Sequence, residues 1–201
     1  MDTAPISLLL AVIPFAVSST FTPGPNNLMV MASAANFGYA RTVPHMAGIT
    51  AGFPLMVVGV GIGLAPLFER YPAAHVALKI AGAAYLLYLA WRIANAGSVR
   101  GGNSRARPIR FYEAALFQLI NPKAWVMAVG AIATYTTVGG NIIAETLTIA
   151  GVFLAITFPA TSLWASFGLG MRQLLTSDGA IRAFNWSMAV LLVASLAPIV
   201  F

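Results

Sequence analysis

Two things are scarce in this chain of 201 residues: cysteine, which is absent, and charge, which makes up 8% of it. Without cysteine there are no disulfides, no thiolate metal sites and no thiol redox chemistry. With so few charges a globule could not be solvated, since soluble domains carry about a quarter Asp, Glu, Lys and Arg. Hydrophobic residues make up 59%, so lipid is the solvent that suits them. Acids are the rarest charges, five against 11 Lys and Arg, for a net charge of +6. Such a basic excess can mark a nucleic-acid protein. Here the arginines sit in short stretches between apolar runs and form no basic face, so nucleic acid is not an expected partner. Histidine occurs twice, as His45 and His75. With no His-x-x-x-His pair and no Asp-rich motif, neither a metal-dependent lipid enzyme nor a metal path is favoured, and no cofactor or resident metal is expected.

What is abundant is long apolar runs. Crossing a bilayer takes about 20 apolar residues in a helix. Six stretches qualify: 6–37, 43–67, 74–93, 111–137, 142–168 and 181–201. The chain therefore reads as all-α, a single polytopic membrane domain of six transmembrane helices with the lipid bilayer as its surroundings. The N-terminal run has only Asp2 ahead of it, whereas a signal peptide carries positive charge there, so it is expected to be retained as the first span. That span has 32 residues. At about 1.5 Å each they make about 48 Å, too long for one straight crossing, so it must be tilted, broken or re-entrant.

Orientation follows from Lys and Arg, which gather in cytoplasmic loops. With the N-terminus outside, inner loops hold Arg41, Arg92, Arg100, Arg105, Arg107, Arg110, Arg172 and Arg182, and the outer side holds Arg70 and Lys79. The Arg- and Gly-rich stretch 98–110 reads as a flexible cytoplasmic linker between halves 1–97 and 108–201. Aromatic rings favour the interfaces. Trp91, Phe111, Tyr112 and Trp164 fall near expected inner ends, and Phe68, Tyr71 and Tyr135 near outer ends. Three helices per half make the halves start on opposite sides, so a repeat between them is inverted, as in many secondary transporters. Thr22-Pro23-Gly24-Pro25-Asn26 in the first span is answered by Ile120-Asn121-Pro122-Lys123-Ala124 in the fourth.

Those prolines carry the chemistry. Proline has no amide hydrogen and pushes away the carbonyl four residues earlier. Pro23 and Pro25 thus free the carbonyls of Ser19 and Phe21, and Pro122 frees that of Gln118. In hydrocarbon each needs a partner from protein or water. Asn26, Asn27 and Asn121 are suited to the task because an amide both donates and accepts. The first and fourth helices are expected to be broken there, with half-helix N-termini that suit a carboxylate; the bland alternative is a pair of simple kinks. Lys123 lies inside the fourth span, where a cation is expensive. It either attracts a substrate carboxylate, ties down freed carbonyls, or snorkels to the interface. No acid stands clearly at mid-membrane, which points to a zwitterion with a neutral side chain. His45, beside Pro44, is a candidate for proton coupling or a plain helix-end residue near headgroups. Gly48-x-x-x-Gly52, with Gly59, Gly61 and Gly63, imitates a nucleotide-binding glycine pattern, but no strand precedes it. Close helix packing is the expected role.

Phe21 to Asn27, Asn36-Phe37-Gly38 with Arg41-Thr42, Gly82 to Leu86 with Trp91, and Phe117-Gln118 with Asn121 to Ala124 together resemble the LysE/RhtB family of amino-acid exporters. The resemblance runs from about residue 8 to residue 186. It implies an inner-membrane secondary exporter of amino acids, driven by protons and assembling as a homodimer. It implies a substrate site at Pro23, Gly24, Pro25, Asn26, Asn27, Gln118, Asn121, Pro122 and Lys123. Lysine-exporting members would be expected to carry more acids, so this chain resembles the neutral-substrate branch. The competing readings are a membrane enzyme acting on lipid, or an exporter of metal ions or another small solute.

Overall fold

The computed structural model describes residues 4–64, 71–96, 107–137 and 140–195. Phe68, Glu69, Arg70 and the linker's residues 98–106 lie outside the described residues. All regular structure among the described residues is helical.

The run 6–37 forms α1 (Ala4–Phe21) and α2 (Pro25–Phe37), bent by 52° at the break between them. Pro23 and Pro25 cannot extend α1, but Pro25 is well placed as the first residue of α2. α3 spans Tyr39–Gly59 and ends in a π turn, Val60–Leu64, with Gly63 at φ 117°. α4 spans Pro72–Ala94. α5 (Phe111–Phe117) tightens through a 3-10 turn, Gln118–Ile120, and after Asn121 the chain resumes as α6 (Pro122–Tyr135) at a bend of 67°. α7 (Ile142–Leu174) runs 33 residues and α8 spans Asp178–Ala194.

Among the described residues, α3 with its π turn and α7 are long and apolar enough to cross a membrane, and the two bent pairs bring that number to four. Large apolar side chains such as Leu10, Leu55, Val126, Leu174 and Trp186 face outward. For a water-soluble fold that would be costly; against acyl chains it is expected. The chain is an integral membrane protein. The spans expected at 74–93 and 181–201 correspond to α4 and α8, which pack on each other.

α7 is the central post, packed along α1, α2 and α3. α3 also lies against α5, where the glycines act. A methyl group on Gly48 would meet Phe111 O and Ala114 Cβ, and one on Gly52 would lie 2.7 Å from Ala115 Cα. The Gly-x-x-x-Gly pattern thus serves close packing of two backbones, in accord with the sequence.

The linker's end is ordered by charge. Arg107 forms a two-pronged pair with Glu113, both contacts 2.6 Å, and Arg92 donates to Arg107 O at 2.9 Å. Glu113 also accepts from the Arg110 amide at 2.7 Å, satisfying one of the free amides at the start of α5. Hydrogen bonding to Glu113 pushes the Arg107 guanidinium further into its charged range. Deeper in, Asn36 of α2 and Asn185 of α8 exchange amide hydrogen bonds of 2.6 and 3.1 Å.

Candidate functional site

The two breaks meet. Asn26 Nδ2 donates to Gln118 Oε1 at 2.8 Å, and Gln118 Nε2 returns a bond to Asn26 Oδ1 at 3.2 Å. Gln118 is fully buried and also donates to Ala114 O at 2.8 Å. Residues 92 apart in sequence are thereby joined across the interior.

The freed carbonyls all find partners. Ser19 O accepts from Thr22 Oγ1 at 2.8 Å, Gln118 O from the Asn121 amide at 3.3 Å, and Phe21 O from Trp164 Nε1 at 3.1 Å. Trp164 stands ten residues before the end of α7 at Leu174. Its indole N–H is held at the first break, where hydrocarbon leaves Phe21 O no water to bond.

The asparagines divide the remaining work. Asn27 spends both amide hydrogens on Thr20 O and Thr22 O, at 2.9 and 2.8 Å, closing the end of α1. Asn121 caps α6 by accepting the Lys123 amide at 3.2 Å. Pro122 brings no amide hydrogen of its own, so the Ala124 amide is left without a helical acceptor. At the start of α2 there is no side-chain cap, so the amides of Asn26 and Asn27 are likewise free of helical partners. Two positive helix ends therefore converge on one place.

Lys123 reaches from the second break to the first. Its ammonium donates to Thr22 O at 2.8 Å, Thr22 Oγ1 at 2.9 Å and Pro23 O at 3.2 Å. Of the roles open to it in sequence, tying down carbonyls is the one seen. The stem crosses Gly24, where a Cβ would lie 2.6 Å from Lys123 Cδ.

Between the breaks lies a cavity of about 30 Å³, room for a water or two. Gly24, Asn26, Asn27, Asn121 and Lys123, all among the candidate residues, line it. Pro23, Pro25, Gln118 and Pro122 shape or brace it without lining it. Sequence reasoning missed Ser19 and Thr20 of α1, Thr157 and Thr161 of α7, and the apolar walls Ile49, Phe53 and Met127. The threonine pair flanking Pro159 inside an apolar run was the available signal. His45 stands apart. It is fully buried on α3, outside the cavity lining, and neither ring nitrogen has a hydrogen-bond partner.

Comparison with known proteins places the chain in a family. The family model described as LysE type translocator matches residues 17–196. The chain is 30% identical over 190 residues to the cysteine/O-acetylserine efflux protein of Escherichia coli (strain K12), covering 93% of this chain and 94% of that one. The same identity and coverage hold for the protein of that name from Shigella sonnei (strain Ss046). No solved structure matches the chain. Two proline breaks facing each other in an apolar bundle, and a family match over nearly its full length, lead to one statement: this chain belongs to the LysE type translocator family.

Proposed function

We propose that this protein exports a small, neutral, zwitterionic amino acid across the bacterial inner membrane by proton-coupled alternating access. The observation that carries the reading is the meeting of the two breaks through Asn26–Gln118 and Lys123–Thr22 around one cavity. Interrupted helices facing each other at mid-membrane are how secondary carriers build a substrate site without exposing backbone to lipid. The free amides of Asn26, Asn27 and Ala124 suit a carboxylate. Gly24, Asn121 and Lys123 complete that end of the site, with Pro23, Pro25 and Pro122 as hinges and Gln118 as the brace. The relatives' names, cysteine and O-acetylserine efflux, support a substrate that is small and carries no net charge.

Alternating access requires the walls of this cavity to part on one side at a time. The reading includes two inverted three-helix halves, 1–97 and 108–201, that rock about the breaks, an outside N-terminus, and a homodimer in the bilayer. His45 is assigned to proton coupling as a buried imidazole whose ring nitrogens have no hydrogen-bond partner.

The test is counterflow in proteoliposomes with a panel of labelled amino acids. Saturable exchange of one or a few small neutral amino acids is the expected result. Turnover of lipid without solute movement would favour an enzyme, and exchange of none of the panel would reject the reading.

A further inference from the structure

Five side chains around the cavity have their hydrogens directed elsewhere or unassigned. Ser19 Oγ donates to Phe15 O at 2.6 Å, Thr157 Oγ1 to Phe153 O at 2.7 Å, and Thr161 Oγ1 to Thr157 O at 2.9 Å. Asn27 has spent both amide hydrogens on α1. With their hydrogens so used, what these groups have left to offer a ligand is lone pairs: three hydroxyl oxygens and one amide oxygen. The fifth, Thr20, is 8% exposed, lines the cavity, and its hydroxyl has no partner. A buried hydroxyl in that state is completed by a water or by a ligand.

A serine or threonine that bonds its own helix is common in membrane helices and usually means nothing more. Here three such hydroxyls, on α1 and α7, and the amide of Asn27 on α2 belong to residues that line one space, and Thr20, whose buried hydroxyl has no partner, lines it too. No Asp or Glu lines that space. A wall of neutral acceptors fits a group with several donors and a positive charge. It lacks the counter-charge that an isolated cation would need once removed from water.

We propose that Ser19, Thr20, Asn27, Thr157 and Thr161 form an α-ammonium subsite, set against the helix N-termini that take the carboxylate. This inference rests on the transport reading above and deepens it. The positive charge is balanced by the substrate's own carboxylate one carbon away, so the site selects the zwitterion as a unit. Amines without a carboxylate, and acids without an amine, each leave one wall unmatched. α7 thereby contributes to specificity as well as to packing.

The test compares inhibition of counterflow by an amino acid and by its 2-hydroxy-acid analogue, which keeps the carboxylate and lacks the ammonium. Wild-type protein is expected to prefer the amino acid at least 100-fold. In Thr157→Val/Thr161→Val, which keeps shape and removes the oxygens, the amino acid should bind at least tenfold more weakly and the hydroxy acid within twofold of wild type. Thr157→Ser/Thr161→Ser should stay within threefold of wild type for both, and Thr20→Val should lower the preference even if the α7 double variant does not assemble. A preference unchanged in the valine variants, or a loss shared equally by both ligands, overturns the subsite while leaving export intact. Absence of any amino-acid counterflow in the wild type overturns the transport reading, and this inference with it.

Discussion

Lys123 Nζ lies 2.8 Å from Thr22 O, a contact between residues 101 apart that ties the second proline break to the first. With Thr22 Oγ1 and Pro23 O also bonded, all three donors of the ammonium are in use. On the proposed transport reading, a substrate carboxylate draws Lys123 away from these carbonyls and so couples loading to loosening of the breaks. Lys123→Met should lower export at least tenfold, with membrane insertion unchanged by immunoblot. Transport at the wild-type rate would remove the lysine from the mechanism.

Gly24 has an extended backbone, φ 178°, which alanine can adopt. Its methyl would nevertheless stand 2.6 Å from Lys123 Cδ. Gly24→Ala should therefore lower export several-fold by displacing the lysine stem. The check is non-additivity: adding Gly24→Ala to Lys123→Met should cost nothing further.

Asn26 and Gln118 share two hydrogen bonds. Replacing either with alanine leaves the other's amide short of partners in a largely apolar interior. A double-mutant cycle on thermal stability in detergent should give a coupling energy of about 1–2 kcal/mol. A value near zero would show that the breaks are held together by other contacts.

Trp164 is the donor that Phe21 O has in place of a helical amide. Trp164→Phe keeps most of the ring and removes the N–H, so the carbonyl is stranded. Loss of about 1–3 kcal/mol is expected, read as a lower melting temperature. Trp91→Phe, at an exposed ring, is the control and should change little.

His45 is buried without a hydrogen-bond partner, a costly arrangement unless used. His45→Gln should abolish export driven by an imposed proton gradient while sparing amino-acid exchange at equal pH. Equal loss of both activities would make the residue structural.

Much of this was legible in the sequence, for reasons that differ by residue. The breaks at Pro23, Pro25 and Pro122 could be read because proline's geometry is local and admits no helical alternative. Gly48 and Gly52 were legible because their spacing places both on one helix face. The partners of the freed carbonyls were not, since Trp164 is more than 140 residues from Phe21 and only the packing of α7 brings it there. Thr157 and Thr161 were missed for a subtler reason. Their place beside Pro159 in an apolar run marks them as unusual, but only the packing of α7 against α1 and α2 brings them to the cavity.

The absence of cysteine allows the central claim to be tested directly. Ser19→Cys in α1 and Ala124→Cys in α6 are small changes, one on each side of the cavity. Each variant is reacted with a small thiol reagent while amino acid is titrated in. If both breaks contact one substrate, the two thiols will be protected with the same half-saturating concentration. Protection of only one, or of neither, would contradict a shared site.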